Sequence, residues 1–459
     1  MKSISSTNPS HDYALLGSVE STPFSAVDEM VLRSHLAGKS WSHTSLTARI
    51  TYLREIHDAF VLAKESLAHS VSQEMGMPIR IARDDIQYGL TYFSWYLENA
   101  EKYLSPEVTF ESDSEIHTVF YEPKWLIVAI TPWNYPCMLF TWACIQPLLA
   151  GNSVIWKISK EVILTGKLIA DIFGKSNLPT WVWQEVYGDG VTWDYLTDQD
   201  IDGITFTGST LVGKWLREKA YKKDITTVME LGGSAPGIVC EDADIDAILE
   251  TIYFLRYSNS GQMCDGLKRL IVHESRYDEL VEKLSIKLLS KKIWNAQDEM
   301  TDIGPLVSEH QMHEIWSQLQ DALDWWATVL AENRPDPSLR WAYMSAYILG
   351  NISREMRVWK EEVFGPVLPI VTFRSIEEAI SLANDTDYGL GGYVFTQDHD
   401  TFHHIAREIK SGMVQMNTVN FCIPQDPFGG YKSSGIGREH GKWGFYEFTN
   451  VKVISEPKN

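Results

Sequence analysis

The sequence predicts an α/β protein built on doubly wound parallel sheets, and three observations carry that prediction. From Trp125 onward, short β-rich runs alternate with helical patterns. The alternation comes in two series, with a break near residues 231–233. Two further strand-like segments, 112–121 and 449–455, lie outside both series. At 459 residues the chain is too long for one hydrophobic core, so two or three domains are expected.

Taken in order, residues 45–104 read as helical throughout. Residues 112–121 (SDSEIHTVFY) read as part of a hairpin. The first βα series has strands at 125–130 (WLIVAI), 153–157 (SVIWK) and 203–206, with helices at 137–150, 161–175 and 209–221. The second has strands at 237–240, 267–273, 367–373 and 392–395, with helices at 244–257, 275–291 and 375–384. Residues 331–345 read as a surface loop. The two orphan strands suggest an appended sheet whose open edges suit a contact between subunits. No internal repeat and no low-complexity segment occurs.

Composition excludes several function classes. A formal charge of −21 disfavours nucleic acid or an anionic membrane as the main partner. The cysteines are Cys137, Cys144, Cys240, Cys264 and Cys422. An odd number without CxxC spacing argues against a disulfide framework or zinc site, so no metal is expected. It favours a reducing, cytoplasmic setting, and the N-terminus lacks the apolar core of a signal peptide. Residues 125–156 carry no charge, but Pro132, Asn134, Pro136, Gln146, Pro147, Gly151 and Asn152 interrupt them. That series of breaks favours a buried strand, loop, helix and strand over a membrane span.

Several residues invite a chemical reading. Cys264 lies between glycines and small polar residues, in 258–266 (SNSGQMCDG). Glu230 ends an apolar run and opens a Glu-Leu-Gly-Gly bend. A thiol and a carboxylate so placed suit a nucleophile and a base, though taken alone each reads more often as a buried small side chain and a solvated strand end. Asn134 is fixed between Pro132 and Pro136, which suits an oxyanion donor or a structural Asx turn. Residues 208–215 (GSTLVGKW) approach a P-loop, but Trp215 replaces the hydroxyl that would hold Mg²⁺. The segment suits a diphosphate at a helix N-terminus or a plain tight turn. Glu362 and Phe364 alone read as a turn leading into a strand.

Together these segments resemble the aldehyde dehydrogenase superfamily from about residue 25 to 456. The matching motifs are TPWNYP (131–136), FTGST (206–210), MELGGSAP (229–236), SNSGQMC (258–264), EEVFGPV (361–367), NDTDYGLGGYVF (384–395) and PFGGYKSSGIGRE (427–439). The resemblance implies a Rossmann-like cofactor domain (1–104 and 124–232) and an α/β catalytic domain (233–433, with 434–447 returning to the cofactor domain). Residues 105–123 and 448–459 would form a small oligomerisation β-sheet, in a homodimer or homotetramer. It implies NAD or NADP as cofactor and an aldehyde as substrate. Cys264 would be the nucleophile, forming a thiohemiacetal and then a thioester. Asn134 and the Cys264 N–H would hold the oxyanion, and Glu230 would activate the hydrolytic water. Lys157 would hold the adenosine ribose, Ser209 would lie near the diphosphate, and Glu362 would hold the nicotinamide ribose beside Phe364. Trp133 and Gly208 would line the same cleft, with Ser159 and Leu231 also touching the cofactor.

The chain departs from family patterns at informative places. Lys160 stands where NAD-preferring relatives carry a glutamate, which implies NADP use or tolerance, although Glu161 next door restores an acid after a one-residue slip. Glu439 matches a proton-relay glutamate, but the lysine partner falls at Ala143. Trp142 replaces the arginine of succinate-semialdehyde members, and Asp265 would repel a carboxylate. Tyr135, Trp142 and Phe428 resemble the aromatic walls of betaine- and aminoaldehyde-type members, which suit a cation or a plain apolar aldehyde. Two alternatives stand: a succinate-semialdehyde-type enzyme, and a non-catalytic binding member of the fold. An acyl-transferring reductase is disfavoured by Glu230.

Overall fold

The run Leu126–Thr131 (LIVAIT) is apolar and buried at every position, as a strand covered on both faces must be. In the computed structural model, which describes residues 2–340, 342–419 and 423–458, it is the central strand of a six-stranded sheet. The sheet order is Gly435–Ile436, Thr226–Glu230, Gly203–Thr207, Leu126–Thr131, Ser153–Ile158, Trp183–Val186. All neighbours are parallel except the first pair. The chain builds outward from Leu126–Thr131 through Ser153–Ile158 to Trp183–Val186. It then returns to lay Gly203–Thr207 on the other side. That reversal opens a crevice at the carboxyl ends of the strands, where doubly wound sheets bind their ligands.

A second sheet of seven strands runs Thr328–Asn333, Ala346–Gly350, Val367–Phe373, Leu267–His273, Ala235–Val239, Tyr393–Phe395, Gln415–Met416. The two orphan segments meet: Thr449–Pro457 pairs antiparallel with Glu115–Pro123, and Glu107–Glu111 completes a three-stranded sheet. The uncharged stretch resolves into strand, loop, helix Pro136–Leu149 and strand Ser153–Ile158. Among the described residues no helix is long and apolar enough to cross a membrane.

Some expectations need correction. Residues 331–345 are not wholly a loop, because Thr328–Asn333 pairs antiparallel with Ala346–Gly350. This edge strand is buried on one face only in part, so its apolar pattern is faint. The helical region 45–104 is two helices, Leu46–Met75 and Ile79–Leu104, and a further helix, Phe24–Ser42, precedes it. Gly76 breaks Leu46–Met75 from Ile79–Leu104 at φ +77°, where an added Cβ would lie 2.6 Å from Pro305. The N-terminal hairpin Ser3–Asn8/Ala14–Glu20 and the strand at 183–186 carried too little patterning to be read, and the apolar run ending at Glu230 is the strand Thr226–Glu230. Cys422 lies outside the described residues, and the other four cysteines are free.

One buried amide ties the C-terminal strand to the first sheet. Asn152 accepts from the Lys124 and Trp125 N–H groups at 2.7 and 3.0 Å. It donates to the Pro147 and Phe448 carbonyls at 3.0 Å each. All four of its hydrogen-bonding positions are used, and removing them would take this partner from the Lys124 and Trp125 N–H groups and the Phe448 carbonyl, while the Pro147 carbonyl keeps the Asn152 N–H. Asn152→Ala is expected to cost about 2–4 kcal/mol, read as a lower denaturant midpoint at unchanged slope.

Candidate active site

The candidate residues of the first series collect at one edge of the six-stranded sheet. Trp133 and Asn134 follow the end of Leu126–Thr131, and Ser159 and Lys160 follow Ser153–Ile158. Gly208 and Ser209 follow Gly203–Thr207, and Glu230 and Leu231 close and follow Thr226–Glu230. These are the carboxyl ends of parallel strands that flank the crevice. Ser209 precedes the helix Thr210–Lys223, and its side chain makes no cap bond, so the first-turn N–H groups of that helix are not capped from Ser209. Lys157 is buried at the end of its strand, and burial pushes its ammonium down to about 8. Lys160 is mostly exposed, with Nζ 3.5 Å from the Glu161 carboxylate.

The segment carrying Cys264 has an unusual backbone. Asn259 and Ser260 hold φ of +50° and +56°, and Gly261 follows at +75°. A left-handed residue other than glycine or asparagine costs about 1–2 kcal/mol, so side chains must enforce the turn. Asn259 Nδ2 donates to the Asn134 carbonyl at 2.9 Å. Asn134 Nδ2 donates back to the Gln262 carbonyl at 3.2 Å. Gln262 bonds the Asn259 carbonyl at 3.1 Å and accepts from the Val307 N–H at 3.1 Å, and Ser260 bonds the Gly304 carbonyl at 2.8 Å. Buried Arg256 braces the loop through the Leu267 and Val363 carbonyls, both at 3.1 Å. At Gly261 a Cβ would lie 2.5 Å from the Gly365 carbonyl, so no side chain fits.

This clamp places Cys264 and Asn134 on the wall of one cavity of about 520 Å³. Tyr135, Trp142, Asp265 and Phe428 line the same space. Trp142 packs against Phe428 with ring centroids 5.1 Å apart. Asp84 and Glu250 add two carboxylates that sequence reading missed, and no lysine or arginine lines the cavity among the described residues. Asp84 sits in a charged helical run, and Glu250 in an ordinary amphipathic one, so neither carried a signal.

Glu230 is buried, and neither carboxylate oxygen has a hydrogen-bond partner among the described residues. Burial and the facing Glu439 carboxylate push Glu230 well above the ordinary carboxylate range. Burial pushes Glu439 up to about 8. Next to Glu439, buried His440 bonds the Tyr96 hydroxyl through Nδ1 at 2.5 Å, a pair the sequence did not single out. Ala143 is buried in the Pro136–Leu149 helix and offers no amine. Glu362 Oε1 accepts from the Gly233 N–H at 3.0 Å, and Phe364 meets Trp133 edge to face at 5.6 Å. Glu362 and Phe364 do not line the cavity, and Glu362 lies beside Gly232 near the start of the Thr210–Lys223 helix.

Cys264 is half-buried, and burial followed by the Asp265 and Glu362 carboxylates holds its thiol well above the usual range. Its Sγ lies 4.0 Å from Asp265 Oδ1. Asp265→Asn removes the nearest repulsion on a thiolate. The pH midpoint for alkylation of Cys264 by iodoacetamide should therefore move down, read by mass spectrometry of the modified peptide.

Comparison with known proteins places this geometry in context. A family model described as the aldehyde dehydrogenase family matches residues 1–454. The chain is 33% identical over 465 residues to the peroxisomal aminoaldehyde dehydrogenase 1 of Pisum sativum, covering 99% of this chain and 92% of that one. It is 31% identical over 428 residues to the mitochondrial succinate-semialdehyde dehydrogenase of Oryza sativa subsp. japonica, covering 93% and 81%. The betaine aldehyde dehydrogenase of Staphylococcus aureus, solved in complex with NAD+, superposes with a TM-score of 0.95 at 28% identity, covering 99% of this chain and 91% of that one.

Proposed function

The chain belongs to the aldehyde dehydrogenase family and is an oxidoreductase acting on aldehydes; from that premise we propose that it oxidises a cationic or neutral aldehyde to the carboxylic acid, with NAD or NADP as hydride acceptor. The observation that carries the substrate class is the cavity lining. It joins aromatic walls at Tyr135, Trp142 and Phe428 to the buried Asp265, with exposed Asp84 and Glu250 at its rim, Glu250 paired to Lys287, and no lysine or arginine lines it among the described residues. Aromatic faces and carboxylates both attract a cation, and carboxylates repel an acidic substrate. This lining disfavours a succinate-semialdehyde-type activity.

The residues present fit a nicotinamide dinucleotide. Lys157 and Lys160 offer cations at the crevice, Ser209 and the uncapped start of Thr210–Lys223 offer donors to a diphosphate, and Glu362 offers a carboxylate to ribose hydroxyls. Gly232 leaves the room that Glu362 occupies, since a Cβ there would lie 2.4 Å from Glu362 Oε2. Exposed Lys160 supports tolerance of a 2′-phosphate, and its Glu161 neighbour supports NAD. When bound, the nicotinamide supplies the hydride acceptor that converts a Cys264 thiohemiacetal to a thioester.

The chain's own residues account for the remaining steps. Cys264 Sγ gives its proton to solvent water and bonds to the aldehyde carbon, whose carbonyl π pair moves onto oxygen. The Asn134 amide and the Cys264 N–H meet the charge on the carbonyl oxygen. Asn134 keeps one N–H on Gln262, which leaves the other for the substrate. Glu230 takes a proton from water as the water adds to the thioester, and the carbon–sulfur bond then breaks to release the acid. A raised Glu230 favours this role, since a base must hold a proton firmly enough to remove it from water.

We read the six-stranded sheet as the core of the cofactor domain and the seven-stranded sheet as that of the catalytic domain. Exposed Val108, Phe110, Val451 and Val453 on the three-stranded sheet support a homodimer or homotetramer joined there. The free cysteines suit a reducing, cytoplasmic setting.

The test is kcat/KM by NAD(P)H absorbance for aminoaldehydes, betaine aldehyde, alkyl aldehydes and succinate semialdehyde. Cationic and neutral aldehydes should lead by about tenfold or more, reflecting repulsion of an anion by the lining. An anionic leader would overturn the substrate class, and Cys264→Ala should abolish turnover while retaining cofactor binding. Glu230→Gln should slow deacylation so that an acyl adduct on Cys264 accumulates within one turnover. Mass spectrometry of the quenched enzyme reads that adduct, and its absence would remove Glu230 from the base role.

A further inference from the structure

We propose that Lys268 is a positioning residue for the Cys264 loop: its buried ammonium holds and polarises the Met263–Cys264 peptide, so that the Cys264 N–H is aimed as an oxyanion donor and a positive charge lies behind the thiolate. The proposal rests on the reading of Cys264 as nucleophile.

Lys268 is the second residue of the strand Leu267–His273, four residues after Cys264, and it is fully buried. A lysine so placed needs partners. Its Nζ donates to the Met263 carbonyl at 2.5 Å and more weakly to the Gly261 carbonyl at 3.4 Å. It also lies 4.7 Å from the centre of the Phe364 ring. Its ammonium therefore bonds to main-chain carbonyls of the nucleophile loop rather than to a carboxylate.

The chemistry follows from the peptide bond. The Met263 oxygen and the Cys264 N–H belong to one planar, resonance-linked group. A cation on the oxygen draws electron density from the nitrogen, strengthens the N–H as a donor and fixes its direction. Oxyanion stabilisation depends on donors that need no reorientation during reaction. A second hydrogen bond to Gly261, at the end of the left-handed turn, resists rotation of the same loop.

Charge adds a second effect. Asp265, Glu362 and Glu230 all face Cys264 and oppose a thiolate, and Lys268 favours one. Arg256 faces Lys268 from the preceding helix and adds to the burial that holds its ammonium near 7. The Tyr135 hydroxyl faces Cys264 from the Asn134 loop. A proton kept on Lys268 thereby favours loss of one from Cys264, and the two ionisations are linked through their charges.

The full-length enzyme tests this with Lys268→Met, which keeps the length without donors, and Lys268→Gln, which keeps an N–H without charge. In Lys268→Met, the iodoacetamide midpoint of Cys264 should rise by about one pH unit. Its kcat should fall about tenfold or more, with the aldehyde KM and the NAD+ dissociation constant within about twofold of wild type, as a role outside substrate binding requires. Lys268→Gln should match the shifted midpoint yet retain more of kcat. Unchanged alkylation and kcat in Lys268→Met would overturn the proposal. So would losses that come with equal losses of NAD+ binding and melting temperature, which mark a merely structural lysine. Full turnover by Cys264→Ala would instead sink the nucleophile assignment, a separate outcome from either.

Discussion

A left-handed turn held by side-chain amides is the constraint on which the site depends. Asn259, Ser260 and Gly261 take positive φ in succession; asparagine and glycine tolerate this, but Ser260 does so at a cost that no local preference offsets. The reciprocal bonds between Asn134 and the 259–262 segment, with Ser260 and Gln262 anchored on residues 304 and 307, overcome that cost. Because the same bonds cross from one sheet unit to the other, they also set where Cys264 stands relative to Asn134. Backbone strain, inter-unit packing and the spacing of the proposed reacting groups are here one set of interactions.

Inside that frame the electrostatics are unfavourable by ordinary standards. Glu230 and Glu439 lie together with carboxylate oxygens lacking partners, and Cys264 sits among carboxylates. Buried unpaired carboxylates destabilise a fold, and a facing pair of them beside Cys264 supports the proposal that this is the reaction centre. The fully satisfied Asn152 is the contrast: a buried polar residue whose four bonds serve only the fold.

Legibility followed the range of the forces involved. Fully buried parallel strands such as Leu126–Thr131 and Leu267–His273 were plain in the sequence, because both faces demand apolar side chains. The half-exposed edge strand Thr328–Asn333 and the short strand Trp183–Val186 were not, since little burial acts on their patterns. Cys264, Glu230 and Asn134 stood out because glycines and prolines shape their bends. Lys268 carried a signal that was passed over, a lysine beside an arginine within an apolar strand, both of them buried. Asp84 and Glu250 carried none, since exposed charges on helices look alike until the fold sets two of them at the cavity rim, and neither did His440, which precedes a short helix and is buried only by packing.

By itself the sequence determined the alternation of strands and helices, the two series, and the motif order that identifies the family. These depend on local periodicity, on steric limits at glycine and proline, and on the identity of reactive side chains. Only the tertiary structure decided that the two orphan strands pair, that Glu439 faces Glu230, and that Lys268 bonds the carbonyl beside Cys264. Each joins residues by distance and burial rather than by spacing along the chain. Proton affinity and hydrogen-bond strength depend on that surrounding medium, which no single segment specifies.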